Sequence, residues 1–308
     1  MPALICGSLA FDTITTFPGR FAEQILPEQV HILNVSFLVP TLRREWGGCA
    51  GNIAYNLQAI GGQPVILGAL GVDGGEYIAR VQGWGADTSL IHRDTVLHTA
   101  QCHITTDRDN NQITAFHPGA MAHAHEMAVP PKAQRSDLAI GIIAPDGRDA
   151  MWQHAHQMAD AQIPFIFDPG QQLPQFNGEE HSEILGLARW VALNDYEARM
   201  LEERTGESCD QISRRANIQG VVVTLAEHGC EIWQRGEKVQ VPGVKATQVQ
   251  DPTGCGDAFR AALLFGLERG WPLQRCAELG NRIGAIKIAE RGPQNHHFDD
   301  ALLALTRG

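Results

Sequence analysis

Several things are missing from this chain, and each absence narrows its function. It has no basic surplus: 24 lysines and arginines face 35 aspartates and glutamates, a net charge of -11. That balance argues against a general nucleic-acid binder, because neutralising a phosphate backbone needs cations in excess. No C-x-x-C pair occurs among the seven cysteines, which are scattered from Cys6 to Cys276. An odd, unpatterned set fits reduced thiols better than a disulfide framework. No apolar run approaches the length that spans a membrane, and no signal-like segment precedes Leu4. A cytoplasmic protein is therefore expected, bound neither to membrane nor to nucleic acid. Two large ATP-binding classes are excluded as well, since neither Gly-x-x-x-x-Gly-Lys-Ser/Thr nor the protein-kinase motifs are present. Internal repeats and low-complexity linkers are also absent.

What remains is an ordinary globular composition: 308 residues, 44% hydrophobic and 19% charged. A chain of this length fits one α/β domain. Ala3-Leu4-Ile5-Cys6 reads as a buried first strand and Cys49 to Ile60 as a helix, with a further strand at Pro64–Leu70. Short β-rich runs follow at 138–143, 165–167, 190–193 and 221–225, alternating with helical patterns at about 148–161, 181–188, 195–205 and 209–216. A hairpin is expected around Arg235-Gly236, and helices at about 257–269, 272–290 and 298–306 end the chain. This alternation implies an α/β fold with a mostly parallel central sheet covered by helices on both faces. Two pieces break the pattern, at about 13–45 and 97–118. The first holds Val30, Ile32, Val35, Phe37 and Val39 in partial alternation, and the second has turn chemistry at Asp107–Asn111. Both read as extended, β-rich segments that interrupt the alternation.

One stretch organises the rest: Asp251-Pro252-Thr253-Gly254-Cys255-Gly256-Asp257-Ala258-Phe259. A glycine-bearing loop feeds a buried helix, whose first N–H groups and positive dipole end suit an anion such as a phosphate. Gly254 and Gly256 would let the backbone approach that anion closely. Asp257 has two readings: a first-turn acid complementing the dipole, or a carboxylate that meets a hydroxyl arriving at the phosphate. Asn194 and Glu197, three apart where a helix starts, read as an N-cap and its capping-box partner. Two His-x-His pairs, His123/His125 and His154/His156, are read as solvated surface histidines, because i and i+2 point to different faces of a helix.

Asp-x-Thr-Gly-x-Gly-Asp near the C-terminus, together with Gly47-Gly48-Cys49-Ala50-Gly51-Asn52-Ile53-Ala54 near the N-terminus, resembles the ribokinase-like (PfkB) sugar and nucleoside kinases. Phe17–Phe21, Val35–Val39, Phe116–Met121, Asp168–Leu173 and Asn194–Glu197 extend the resemblance over almost the whole chain. Within the family these stretches look most like bacterial adenosine kinases of the mycobacterial type. The resemblance implies one kinase domain over residues 1–308 with the two β-rich pieces as a discontinuous lid, and ATP-dependent phosphorylation of the adenosine 5'-hydroxyl. A broader purine-nucleoside kinase and a free-sugar kinase are the alternatives, and a homodimer formed through the lid is expected.

Residue by residue, the resemblance makes Asp257 the base and Gly254, Cys255 and Gly256 the anion hole. Asp257's place at a helix N-terminus is expected to lower its pKa and make it a weak base. Asp12 would clamp the ribose diol. Ser8, Ser36, Gly47, Gly48, Asn52, Gln171 and Gln172 would surround the nucleoside, with Phe37 and Phe116 flanking its base. Cys102 stands where relatives place an aromatic residue. Asn194, Glu197, Thr224, Gly229, Thr253 and Asn281 would serve ATP and Mg²⁺. Asp251, with the loop at Arg291-Gly292, would hold a monovalent cation, so activation by K⁺ is implied.

Overall fold

The computed structural model describes residues 1–25, 34–109 and 111–307. Val30, Ile32 and Asn110 therefore lie outside the described residues. The larger sheet is assembled from β1 (Pro2–Cys6), β4 (Gln63–Leu70), β5 (Asp87–Arg93), β8 (Ile140–Ile143), β9 (Phe165–Phe167), β10 (Trp190–Asn194), β11 (Gly220–Thr224), β12 (Cys230–Gln234) and β13 (Glu237–Val241). Their order is β13-β12-β11-β10-β9-β8-β1-β4-β5, and every pairing is parallel except those of β12. The expected hairpin is present: Arg235 (φ 53°) and Gly236 (φ 84°) both take positive φ, as a tight two-residue turn between twisted strands requires. Strand β5 is an addition that the sequence pattern does not announce.

Near-continuous apolar strands suit a sheet buried on both faces. In β1, Ala3 and Ile5 enter one apolar layer while Leu4 and Cys6 enter the other. The first layer packs under α2 (Cys49–Ala59), α3 (Gly75–Gly83), α8 (Cys255–Glu268) and α9 (Leu273–Lys287). The second packs under α4 (Arg148–Asp160), α5 (Gly178–Leu187), α6 (Asp195–Thr205) and α7 (Cys209–Ser213). Small residues draw α8 and α9 together; a Cβ on Gly280 would fall 2.6 Å from the Phe259 ring. A short helix, α10 (Asp300–Thr306), comes last.

The smaller sheet has the order β3-β2-β6-β7, from β2 (Ala10–Thr16), β3 (Thr41–Gly47), β6 (Ala100–Thr106) and β7 (Gln112–His117). It begins at Ala10 rather than near 13, so Asp12 sits inside a strand. Residues 34–39 form no strand; Phe37 instead packs on Phe17 and Phe21, at ring separations of 4.9 and 5.0 Å. A four-residue turn of helix, α1 (Phe21–Gln24), completes that aromatic group.

Strand order reverses at β1, which is flanked by β4 and β8. In open α/β sheets the crevice beyond the carboxyl ends of strands at such a reversal is where ligands bind. Ser8, Asp146, Asp168 and Asn194 all lie at or just past those ends. Among the described residues no helix is long and apolar enough to cross a membrane.

Candidate active site

Gly254 caps α8 with φ 81°, a left-handed conformation that glycine tolerates, and a Cβ there would lie 2.6 Å from Pro293 Cβ. The N–H groups at the start of α8 are among those that a helix leaves without acceptors. Cys255 is an exception and corrects the expectation for the anion hole: its N–H closes a turn on Pro252 O at 3.2 Å. Gly254 is the N-cap of α8 and Gly256 stands in its first turn, and the Thr253 N–H is tied to Asp251 Oδ1 at 3.0 Å.

Asp257 is in the first turn of α8, and Asn52 of α2 donates from Nδ2 to its Oδ2 at 2.8 Å. Burial pushes the Asp257 carboxyl up to about 7, with Asp168 adding repulsion and the Asn52 hydrogen bond opposing. The expected lowering by the helix dipole is thus overturned. Desolvation is the largest cause of the shift, which carries Asp257 toward neutral pH. Asn52 is held in turn: Gln294 Nε2 donates to its Oδ1 (2.9 Å) and contacts the Tyr77 hydroxyl (3.0 Å), while Tyr77 donates to Gly47 O (2.6 Å). Tyr77 and Gln294 carry no motif; only their buried hydrogen bonding marks them.

Arg260, one turn after Asp257, is nearly fully buried and grips Asp168 with two parallel bonds, Nε to Oδ2 at 3.1 Å and Nη2 to Oδ1 at 3.0 Å. Glu197 Oε2 lies 3.8 Å from the same guanidinium. Asn194 and Glu197 form the capping box of α6, with mutual bonds of 2.7 and 2.8 Å. Glu197 Oε2 is therefore committed to the Asn194 N–H, and the pair fits a hydrated cation, held through water, better than a directly bound one. Sequence pattern missed Arg260, whose position in an apolar helix is the one available signal.

Around the other motif, the Ser8 hydroxyl accepts from Cys49 N at 3.1 Å and so caps α2. Gly48 takes φ 84° and packs on Ser8 O, and Gly47 lies directly against the Asp12 carboxylate. Gln171 Nε2 reaches Cys49 Sγ at 3.9 Å, with Gln172 next to it in the 170–175 turn. Ser36 lies outside both sheets, in 34–39. Across the small sheet, Glu45, Asp12, Cys102 and Phe116 are direct partners in one row and so share a face. Phe116 is 50% exposed. Phe37 is half-buried in the aromatic group with Phe17 and Phe21, outside the strands of the small sheet.

Asp12 is 9% exposed, and burial with the charges of Glu45 and Asp251 raises its pKa to about 6, against the pull of Arg43. A carboxylate that accepts from a sugar diol must be ionised. KM for a ribose-bearing substrate is therefore expected to rise as pH falls through about 6, and Asp12→Asn should remove that limb. A KM independent of pH between 5 and 7 would separate Asp12 from the diol.

On the opposite side of the anion loop, the Thr224 hydroxyl donates to Leu193 O at 3.3 Å, Gly229 turns with φ 92°, and Asn281 Nδ2 of α9 donates to Pro242 O at 3.0 Å. Thr224 thus ties the end of β11 to β10, and Asn281 ties α9 to the segment after β13. The place expected to hold K⁺ is filled by protein. Lys287 Nζ donates to Asp251 O at 2.7 Å and Glu290 O at 3.1 Å. Burial alone would raise Asp251, but the N–H groups of Gly292 and Thr253, with Lys287 nearby, hold it below the usual carboxylate range. These residues do not fit a dissociable cation.

The histidine reading is corrected in part. His154 is fully buried, bonded through Nε2 to Met127 O at 2.8 Å, and burial lowers its pKa to about 4. His123 meets Asp94 at 2.6 Å and His156 meets Glu183 at 2.8 Å. No cluster among the described residues could hold a metal ion through three or more His, Cys, Asp or Glu side chains.

A parallel sheet with a glycine anion loop, a carboxylate at its helix start and a small second sheet defines a phosphotransferase of the ribokinase type. The model of the pfkB family of carbohydrate kinases matches residues 20–300, and the chain belongs to that family. The structure of Burkholderia thailandensis nucleoside kinase in complex with inosine is similar at 46% identity and a TM-score of 0.86, over 98% of this chain and 95% of that one. The nucleoside kinase of Methanocaldococcus jannaschii is 28% identical over 265 residues, 85% of each chain, and its structure matches with a TM-score of 0.88 over 99% of this chain and 98% of that one. The aminoimidazole riboside kinase of Salmonella typhimurium is 28% identical over 272 residues, 80% of this chain and 82% of that one.

Proposed function

We propose that this kinase transfers the γ-phosphoryl group of ATP to the 5'-hydroxyl of a purine nucleoside, with adenosine as the substrate to which the mycobacterial-type motifs point. The observation that carries the reading is Asp257: a carboxylate raised to about 7, oriented by Asn52 at 2.8 Å, in the first turn of the helix behind the Gly254–Gly256 loop. Asp257 accepts the 5'-hydroxyl proton while the oxygen–phosphorus bond forms and the bond to the β-phosphate oxygen breaks, giving the nucleoside monophosphate and ADP. The N–H groups of Gly254 and Gly256 face the developing charge, and one such donor is worth roughly 3 kcal/mol. When bound, Mg²⁺ neutralises phosphate charge; Asn194 and Glu197 would hold it through its water. Thr224, Gly229, Thr253 and Asn281 line the ATP side.

For the acceptor, Asp12 takes the ribose diol and Phe116, on the same face of the small sheet, takes the base. The similarity to a kinase solved with inosine supports a second reading within the same class, a broader purine-nucleoside kinase. Exposed Leu42 and Ile113, in one row on the face opposite Asp12 and Phe116, give the small sheet apolar surface that supports its pairing with a second copy.

The deciding experiment measures ADP release with adenosine, inosine, guanosine, ribose and fructose. Nucleosides are expected to dominate in kcat/KM. Phe116→Ala should raise nucleoside KM by about 5- to 150-fold, the equivalent of losing roughly 1–3 kcal/mol of stacking, and Phe37→Ala should act in the same direction by loosening the aromatic group with Phe17 and Phe21. Ribose or fructose used as well as any nucleoside would overturn the assignment and favour the free-sugar alternative.

A further inference from the structure

Lys287 ends α9. A lysine in a last helical turn ordinarily reaches into water beside the free carbonyls. This one is fully buried, which is costly for an ammonium unless acceptors surround it. Its two carbonyl partners, Asp251 O and Glu290 O, come from different segments. The same segments are stitched by Gln250 N and Asp251 N, which both donate to Ile288 O at 2.8 and 3.1 Å. The Asp251 carboxylate then gathers Thr253 N–H (3.0 Å) and Gly292 N–H (2.9 Å), with Arg43 Nη2 3.6 Å away. The ammonium thus joins the segment 250–254 to the segment 287–292, and the first of these runs directly into the anion loop at Gly254.

Backbone carbonyls converging from two loops are an oxygen set suited to a small monovalent cation. A tethered ammonium offers the same single positive charge with directed N–H donors, and it cannot dissociate. We propose that Lys287 is a resident cation: it takes the place of an exchangeable monovalent ion, positions Gly254 and Gly256 through Asp251 and Thr253, and makes phosphoryl transfer indifferent to K⁺. Lys287 is a positioning residue and touches no reacting atom. The inference rests on the kinase reading of the anion loop and is independent of which nucleoside is phosphorylated.

The test compares wild type, Lys287→Ala and Lys287→Met in choline, Na⁺, K⁺, ammonium and methylammonium chloride at equal ionic strength. Initial rates and melting temperatures are measured in each salt. Wild type is expected to keep kcat and the KM for ATP within about twofold across all five, well under the tenfold change that 1.4 kcal/mol represents. In choline, Lys287→Ala should lose about 10- to 100-fold in kcat/KM, as expected for removing hydrogen bonds from a charged donor. Ammonium, methylammonium or K⁺ should restore much of that loss and raise the variant's melting temperature. Lys287→Met, which fills the space with an apolar chain, should stay low in every salt.

Activation of wild type by K⁺ over choline would overturn the proposal. So would full activity of Lys287→Ala in choline, or a folded Lys287→Ala whose activity and melting ignore every cation. Should Lys287→Ala not fold, the wild-type salt series decides alone. The melting measurements need no substrate, so they remain decisive even where the nucleoside assignment fails.

Discussion

Asp257→Asn is expected to lower kcat by about 10²–10⁴-fold, the usual contribution of a positioned general base, while leaving the KM values for ATP and nucleoside little changed. The isosteric amide keeps the contact with Asn52 and the start of α8, so a loss confined to kcat separates proton acceptance from binding. The pH profile gives a second, independent reading. Asp257 must be unprotonated to accept the hydroxyl proton, so kcat rises with pH through about 7 and levels off above it. Asn52 donates to the ionised carboxylate and therefore opposes the upward shift. Asn52→Ala should consequently move the rising limb to higher pH as well as lower the rate. A profile flat from pH 5 to 8, or an Asp257→Asn variant near wild-type activity, would remove the base assignment.

Arg260→Met is expected to destabilise the fold by roughly 3–5 kcal/mol, because it strands the buried Asp168 carboxylate without its two-pronged partner. For a protein of this size that corresponds to a drop of about 5–8 °C in melting temperature. Exchanging both residues for apolar ones of similar volume should recover most of the loss, since desolvating a buried ion pair offsets much of its attraction. The same substitution removes a positive charge that acts to lower the Asp257 pKa, so surviving activity should need a higher pH. A melting temperature within about 2 °C of wild type would deny the pair its structural role.

These two residues share one helix, and their partners come from α2 and the end of β9. That convergence joins the two glycine motifs into one site: Asn52 reaches Asp257 across 205 positions of sequence and Arg260 reaches Asp168 across 92. The chain from Asp257 through Asn52, Gln294 and Tyr77 to Gly47 continues to the foot of the small sheet, where Asp12 sits. One hydrogen-bond network therefore ties the first turn of α8 to the end of β3, with each member held by another.

Much of the fold follows from local pattern. Continuous apolar runs in β1, β4, β8 and β11 mark a doubly covered parallel sheet, and Arg235-Gly236 marks its hairpin, because periodicity and turn chemistry are properties of neighbouring residues. The anion loop is legible for the same reason, since two glycines and a helix start need no distant partner. Charge state is different. Asp257 read locally is a helix-end acid with a lowered pKa; burial by elements far away in sequence raises it to about 7. Lys287 read locally is a dipole-complementing lysine, and His154 half of a surface pair; both are buried because a second segment closes over them. Sequence alone determined most elements of the larger sheet and its helices, the two glycine motifs and the family they mark, but not β5 or the bounds of the small sheet. Tertiary structure decided which side chains leave water and which charges meet there, because desolvation and pairing depend on atoms brought together from distant parts of the chain.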